Sequence, residues 1–386
     1  MLPTVWLLGT SGVGKTTVGW RLLLSLGERS VRAAFVDADQ LRLADGIPAA
    51  QPELTAGGLA ALEHGYRDAG AQLLIVAGPA DDPAHLARLL PGRNLDHVLT
   101  VHLHASDDAI VERIHRRGWL VELAQDAVDY ARSLDHGWAD ITLDTTSLGP
   151  CEVAGRLVAP AMRLLVQSRA ATPAVSRPAR DADMPAAVVV TGPGGSGVST
   201  VGFQLFRKLA RHGLKVGYVD SHQVGFVGPR PRAAELAGLR ATNAVSVAAA
   251  MTERGVHTVV LTADPPTARR LQGALAHADM YWLDASPESL AGRLTARSRG
   301  GGPPIAGDHR LGLGDGELAA SIAASAAEAR DPALRPRHAH VIPTDSRSPG
   351  QIADTIVATV AIVATVATVA TRHARSPGQG DAGPAT

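Results

Sequence analysis

A glycine-rich stretch near the start of the chain has the composition and spacing of a phosphate-binding loop. It consists of nine consecutive residues: Gly9, Thr10, Ser11, Gly12, Val13, Gly14, Lys15, Thr16 and Thr17. Glycines at these spacings let successive backbone N–H groups point at one phosphate, while the lysine reaches the terminal phosphates and the following hydroxyl binds Mg²⁺. The stretch therefore predicts a nucleotide site, with Lys15 as a catalytic residue and Thr16 as a ligand of Mg²⁺.

Two aspartates at the end of the second apolar run are candidates for contact with Mg²⁺ or with a phosphoryl acceptor. Asp37 and Asp39 are two residues apart, and alternate side chains of a strand point to the same face. We therefore predict that both carboxylates face the phosphates, as metal ligands and as catalytic groups. Asp39 is favoured for the acceptor, because a repeat described below has His222 in its place. The alternative is an exposed pair that caps the next helix.

Three arginines lie close together on a predicted helix. Arg113, Arg116 and Arg117 have the spacing i, i+3 and i+4, which places them on one face of that helix. Planar guanidinium groups are suited to binding phosphate oxygens. The alternative is a solvent-exposed set, because the chain has only three lysines among its 37 basic residues and arginine is therefore common on its surface.

The elements that position these residues follow from the apolar pattern. Short apolar runs at 5–8, 33–36, 73–76 and 98–103 alternate with segments long enough to be helices. This alternation is typical of a parallel sheet that is covered by helices on both faces. The predicted fold class is therefore α/β, with the glycine-rich stretch between the first strand and the first helix.

The pattern occurs twice. A shift of 183 residues aligns 9–40 with 192–223 without a gap, and 11 of the 32 aligned residues are identical. In the second copy Val198 replaces the lysine, so we expect this copy to be inactive as a phosphotransferase. Its glycines are explained either by residual nucleotide binding or by close packing of strand and helix, and both explanations stay open.

At 9–16, 37–42, 113–117 and 144–146 the sequence resembles the P-loop kinases of the nucleotide, gluconate, shikimate and adenylylsulfate group. It also resembles actinobacterial ATP-binding proteins that carry a Val-Asp-x-Asp-Gln-Leu segment. The resemblance implies two tandem P-loop NTPase domains, the second degenerate, with Mg-ATP bound by the first. It further implies that Arg113 and Arg117 act catalytically from a lid helix, and that Asp144 and Thr145 belong to the loop that holds adenine.

The predicted division of the chain is a kinase-like domain at 1–169, a linker at 170–186 rich in proline and alanine, a degenerate domain at 187–372 and a disordered tail at 373–386. We expect the two domains to pair within the molecule. An uncharged Val/Ala/Thr run at 355–371 is shorter than the roughly 20 apolar residues of a membrane-spanning helix, which disfavours membrane insertion. Ile352, Ile356, Val357 and Val360 are instead expected to form the buried face of the last helix.

Composition narrows the possible functions. The chain has 37 basic and 37 acidic residues, which disfavours nucleic acid as a partner. Cys151 is the only cysteine, which excludes an intramolecular disulfide and fits the reducing cytoplasm.

The leading hypothesis is a phosphotransferase that acts on a small molecule which the sequence does not identify. The second is a nucleotide-dependent regulatory or scaffolding protein without turnover. A simple ATPase ranks last, because Gln40 and Asp81 are the only evident residues that could position water.

Overall fold

The computed structural model describes residues 1–118, 120–135, 137–168, 185–229, 232–275, 277–302 and 305–360. We call residues 1–168 the first half and residues 185–360 the second half. The strands of the first half are β1 (Thr4–Leu8), β2 (Ala33–Asp37), β3 (Ala44–Asp45), β4 (Leu73–Ala77), β5 (Val98–His104) and β6 (Ile141–Asp144). Its helices are α1 (Lys15–Gly27), α2 (Gln51–Asp68), α3 (Pro83–Leu89), α4 (Asp107–Arg117), α5 (Ala124–Ser133) and α6 (Pro150–Ser168).

The second half repeats this order. Its strands are β7 (Ala186–Thr191), β8 (Val216–Asp220), β9 (Phe226–Val227), β10 (Thr258–Ala263), β11 (Ala278–Asp284) and β12 (His340–Pro343). Its helices are α7 (Val198–Arg211), α8 (Ala233–Thr252), α9 (Pro265–Ala274), α10 (Pro287–Ser298), α11 (Asp315–Arg330) and α12 (349–360).

These elements form two six-stranded sheets, and the predicted α/β fold class is confirmed. The strand orders are β6-β5-β1-β4-β2-β9 and β12-β11-β7-β10-β8-β3, and every pairing is parallel except those of β9 and β3. The central strand β1 is buried on both faces: Trp6 packs toward α2, whereas Leu7 packs toward α1 and α6. A strand covered in this way reads as a continuous apolar run, which is why the sequence predicted it.

The two halves exchange short edge strands. In the first sheet β9 from the second half pairs antiparallel with β2, with Phe35 opposite Phe226. In the second sheet β3 from the first half pairs antiparallel with β8, with Ala44 opposite Gly217. The backbone N–H and C=O groups at the outer edges of β2 and β8 are therefore paired with a short strand of the other half. Without that strand these edges would be open to pairing with another chain.

The helices α2 and α8 pack against each other between the two sheets, and one apolar core cluster contains residues of both halves. The hydroxyl of Tyr66 on α2 is fully buried and lies 3.2 Å from the carbonyl oxygen of Phe35 and 3.0 Å from that of Val224. Asn243 on α8 donates from Nδ2 to the same Val224 carbonyl at 2.7 Å. The contact between the halves thus has a buried polar centre as well as apolar packing.

Parts of the predicted chain division fall outside the described residues. The predicted linker at 170–186 is described only at its last two residues, where Ala186 begins β7. In α12 the predicted burial of Ile352, Ile356 and Val360 is confirmed, and Val357 packs beside them. The rest of the Val/Ala/Thr run and the predicted tail lie outside the described residues, so the division of the chain stays a prediction. Within the described part, no helix combines the length and the apolar character that crossing a bilayer requires.

Gly65 provides a test of the contact between α2 and α8. A Cβ atom at this buried position would stand 1.9 Å from Oδ1 of Asn243, so Gly65→Ala forces the two helices apart. We expect the free energy of unfolding to fall by about 2 kcal/mol. Gly155 on α6 is exposed and has no atom within 4 Å of such a Cβ, so Gly155→Ala is the matched control. The control should gain up to about 1 kcal/mol from helix propensity, and urea unfolding of both variants measures the difference. Equal stability of the two variants would contradict the packing described here.

Candidate functional site

The glycine-rich stretch forms a loop between β1 and α1, and its shape depends on backbone conformations that favour glycine. Gly9 has φ of 133°, and a Cβ atom there would stand 2.2 Å from the carbonyl oxygen of Leu103. Gly14, with φ of 96°, is the N-cap of α1 in the left-handed region. The loop therefore leads directly into the N-terminus of a helix, where backbone N–H groups and the helix dipole favour an anion.

Lys15, Thr16 and Asp37 meet beside this loop. Nζ of Lys15 donates to the carbonyl oxygens of Gly9 and Thr10, both at 2.8 Å. The hydroxyl of Thr16 donates to Oδ2 of Asp37 at 2.6 Å. A hydroxyl and a carboxylate side by side offer the oxygen ligands that Mg²⁺ prefers, so the donor set fits the metal that the sequence predicted.

The charges at this point are strongly coupled. Burial, and next the neighbouring carboxylate of Asp39, raises the pKa of Asp37 to about 6. Burial lowers the pKa of Lys15, while the charges of Asp39 and Asp37 oppose that shift. Lys15 therefore attracts both carboxylates, the two carboxylates repel each other, and burial makes the charges of Lys15 and Asp37 costly. A ligand with both positive and negative charges, such as a metal-bound phosphate, can exchange partners with all three groups.

The prediction that Asp37 and Asp39 lie together on a strand is wrong for Asp39. Strand β2 ends at Asp37, and residues Ala38–Leu41 form a 3-10 turn. Oδ1 of Asp37 accepts from the backbone N–H of Asp39 at 3.0 Å and caps this turn, which ends the alternation of the strand. Asp39 is exposed and pairs with Arg42 at 2.5 Å, while Arg42 also donates to Gln51 at 2.9 Å. Asp39 still acts electrostatically on Lys15.

The three arginines of α4 do not share one environment, so the prediction of a common face is wrong for Arg116. Arg113 donates to Oγ1 of Thr145 at 3.1 Å and to the carbonyl oxygen of Gly12 at 3.4 Å. Arg117 lies 3.4 Å from Oγ of Ser11, and burial lowers the pKa of its guanidinium. Arg116 pairs with Glu112 in solvent. The spacing i, i+3, i+4 covers a wide enough arc for one member to turn away from the loop.

Arg113 has a counterpart in the second half with similar contacts. Arg293 on α10 donates to Oγ1 and to the carbonyl oxygen of Thr344, at 3.0 and 2.8 Å, and to the carbonyl oxygen of Ser196 at 3.3 Å. The second half keeps this arginine although Val198 has replaced the lysine. The shared geometry indicates that Arg113 and Arg293 hold the glycine-rich loop against the loop after the last strand.

The loop at 144–146 packs against the glycine-rich loop. Oγ1 of Thr145 lies 3.1 Å from the carbonyl oxygen of Val13 and 3.0 Å from that of His104. Asp144 accepts from the hydroxyl and the backbone N–H of Thr146, at 2.6 and 2.8 Å, and the first of these bonds lowers the pKa of Asp144 most. The structure thus brings Asp144 and Thr145 beside the predicted nucleotide site, and adenine binding by them stays a prediction.

Sequence reasoning did not find Tyr130 on α5. Its hydroxyl donates to Oδ1 of Asp81, and Oδ2 of Asp81 lies 3.1 Å from Nδ1 of His85. Burial raises the pKa of the Tyr130 hydroxyl, while the charge of Arg42 lowers it. The sequence had indicated Asp81 only as a residue that could position water. For Tyr130 the sequence carried no comparable signal.

Comparisons with known proteins are limited. No protein-family model and no curated protein matches the sequence. Among solved structures, a gluconokinase from Sinorhizobium meliloti is 20% identical over 45% of this chain and 99% of its own, with a TM-score of 0.30. A shikimate kinase from Acinetobacter baumannii is 18% identical over 45% and 97%, with a TM-score of 0.29. A sugar kinase from a Janibacter species is 22% identical over 45% and 100%, with a TM-score of 0.30. At these values the similarity assigns neither an activity nor a substrate to the chain.

The raised pKa of Asp37 predicts how stability changes with pH. The folded chain binds this proton more tightly than the unfolded chain, whose carboxyl has a pKa near 3.8. Stability is therefore lost as the pH rises from about 4 to about 6. Asp37→Asn, measured without Mg²⁺ or nucleotide, should be more stable than the wild type at pH 7 by on the order of 1 kcal/mol, and the difference should vanish below about pH 4. Asp45→Asn, at an exposed position, is the control. A difference that is independent of pH would contradict the assignment.

The distinction between Arg113 and Arg116 is also testable. Arg113→Gln removes hydrogen bonds that join two loops, and the free energy of unfolding should fall by about 1–2 kcal/mol. Arg116→Gln removes only an exposed ion pair and should change it by less than about 0.5 kcal/mol. Thermal unfolding of the two variants without nucleotide measures this. If Arg113→Gln is as stable as Arg116→Gln, Arg113 does not hold the loops together.

Proposed function

We propose that the first half binds Mg-ATP and transfers its γ-phosphoryl group to a small-molecule acceptor. The observation that carries the proposal is the meeting of the Lys15 ammonium, the Thr16 hydroxyl and the Asp37 carboxylate at a glycine-rich loop that opens a helix. These are the groups that phosphoryl transfer needs, because the reaction depends on positioning and on neutralising charge. Bound Mg-ATP would supply the activated phosphoryl group.

The chain's own residues have separate parts in this proposal. Thr16 and Asp37 hold Mg²⁺, directly or through water, and the backbone N–H groups of the loop bind the phosphates. Lys15 and Arg117 neutralise negative charge on the phosphoryl group during transfer. Arg113 positions the loop, and Asp144 and Thr145 lie where adenine would be held.

We assign binding of the phosphoryl acceptor to the polar groups that follow Asp37 and lie near it. Asp39, Arg42, Asp81 and Tyr130 bear the charges and hydroxyl near this edge of the sheet. Carboxylates accept hydrogen bonds from hydroxyl groups, and a phenol both donates to them and accepts from them. A phosphoryl acceptor with a free hydroxyl therefore suits these groups. Asp39 would take the proton of that hydroxyl as it attacks the γ-phosphorus.

The second candidate is a nucleotide-dependent regulatory protein without turnover. The observation that favours it is Val198, which leaves the second half without the lysine although the loop conformation is kept, with φ of 95° at Gly197. In this alternative the paired halves, taken as domains at 1–169 and 187–372, change their contact when the first half binds nucleotide. The presence of Lys15, Thr16 and Asp37 together favours phosphoryl transfer over this alternative.

Lys15 tests nucleotide binding. At a ligand concentration 100 times the dissociation constant, binding adds about 2.7 kcal/mol to the stability of the folded chain. We expect Mg-ATP to stabilise the wild type in a thermal unfolding assay and to leave Lys15→Ala unchanged. Lys208→Ala, which removes a lysine that pairs with Asp354 at the surface, is the control and should respond as the wild type does. Stabilisation of Lys15→Ala equal to that of the wild type would contradict the site.

Turnover separates the two candidate functions. The same proteins are incubated with ATP labelled at the γ-phosphate and with pools of hydroxyl-bearing metabolites. Label transferred to one pool by the wild type and by Lys208→Ala, and not by Lys15→Ala, supports the phosphotransferase. Nucleotide binding without transfer to any pool supports the regulatory alternative.

A further inference from the structure

The glycine-rich loop of the second half is in contact with a carboxylate of its own chain. The backbone N–H of Gly194 donates to Oε2 of Glu328 on α11 at 2.9 Å, and the contact is partly buried. Gly194 is the counterpart of Ser11 under the 183-residue shift. A backbone N–H of this loop is the kind of donor that binds a phosphate oxygen in a nucleotide site.

Two further polar side chains surround this contact. A Cβ atom at Gly194 would stand 2.6 Å from Oγ of Ser325 and 2.8 Å from Nη2 of Arg310. Arg310 is largely buried, and its electrostatic partners are Asp308 and Glu328. The carboxylate of Glu328 thus accepts from a loop N–H and lies within the electrostatic influence of the Arg310 guanidinium, the same two kinds of group that a phosphate would use.

The arginine that corresponds to Arg117 is also occupied. Arg297 on α10 pairs with Asp308 at 2.6 Å and donates to the carbonyl oxygen of Gly301 at 2.9 Å. Both side chains of the Arg297–Asp308 pair are mostly buried. In the first half, Arg117 instead lies beside the hydroxyl of Ser11. The counterpart of Arg117 in the second half is therefore already neutralised by a carboxylate of its own chain.

The segment that carries Asp308 and Arg310 is anchored where the two halves meet. A Cβ atom at Gly307 would stand 2.6 Å from the ring of Phe226 and 3.1 Å from that of Trp20 on α1. The carbonyl oxygen of Ala306 accepts from Nε2 of Gln223 at 3.3 Å. The segment that carries Asp308 and Arg310 is thus packed against side chains of both halves.

We propose that Glu328 is a built-in occupant of the second phosphate-binding loop, a carboxylate that takes the place of a phosphate and excludes nucleotide from the second half. Val198 in place of the lysine lowers the affinity for a phosphate, and the Glu328 carboxylate engages a loop N–H that a phosphate would use. The inference is independent of turnover in the first half. It predicts that removal of Glu328 opens a site for an inorganic anion.

Hydrogen exchange at the loop tests the contact directly in the full chain. In Glu328→Ala the Gly194 amide should exchange at least tenfold faster, and millimolar inorganic phosphate should slow it again. The wild type should be insensitive to phosphate at this amide. Glu288→Ala, which removes an exposed carboxylate from α10, is the matched control and should exchange as the wild type does. Unchanged exchange in Glu328→Ala, or faster exchange that phosphate does not slow, overturns the proposal.

Nucleotide stoichiometry gives a second test. In a Lys15→Ala background, which silences the first site, calorimetric titration with Mg-ATP should detect no site after Val198→Lys alone. Val198→Lys combined with Glu328→Ala should gain one site. A site after Val198→Lys alone, or none after the combined change, overturns the proposal, and both readings are independent of phosphoryl transfer.

Discussion

The exchange of edge strands between the two halves is the constraint on which the rest of the structure depends. Strand β2 ends at Asp37, and its outer edge is covered by β9 from the second half. The segment that follows Asp39 crosses to the second sheet, where β3 pairs with β8, before it returns as α2 to pack on α8. The proposed acceptor residues Asp39 and Arg42 therefore lie directly before a strand that pairs with the second half, although they and the proposed phosphate-binding residues all belong to the first.

The charges around the two glycine-rich loops explain why we expect loops of similar backbone conformation to differ in their affinity for an anion. In the first half the Lys15 ammonium and the Asp37 carboxylate lie beside the Thr16 hydroxyl, and burial shifts the pKa values of Lys15 and Asp37 because each charge is costly there. In the second half Val198 replaces the lysine, Glu328 accepts from the backbone N–H of Gly194, and Asp308 pairs with Arg297. Loops with similar glycine conformations thus differ in that the Gly194 N–H of the second loop already has a carboxylate partner.

Much of the first half could be predicted from the sequence, because its signals are local. The strands around the glycine-rich loop are continuous apolar runs, and Lys15, Thr16 and Asp37 lie where the spacing of the loop and of β2 places them. Asp39 was misplaced because its backbone N–H bonds to Asp37 and turns the chain, a preference that alternation in a strand does not carry. The contact of Tyr130 with Asp81 joins residues 49 apart in sequence, and no local pattern encodes it.

The exchange of strands was beyond sequence reasoning for a physical reason. Strands β3 and β9 have two residues each, too few to show a period, and their pairing is decided by which sheet edge the preceding turn reaches. Even so, the repeat at 183 residues indicated that the exchange is reciprocal, because similar turns after equivalent strands favour equivalent contacts. Gly65, which lets Asn243 approach α2, shows how one missing side chain permits the close contact of the two halves.

The most direct test of this account is whether the two halves unfold together. Hydrogen exchange followed by mass spectrometry over a series of urea concentrations reports on peptides from β1 and from β7 in the same sample. We expect one common midpoint for both strands, because each sheet is completed by the other half. Loss of protection in one strand at a clearly lower urea concentration, while the other stays protected, would contradict it.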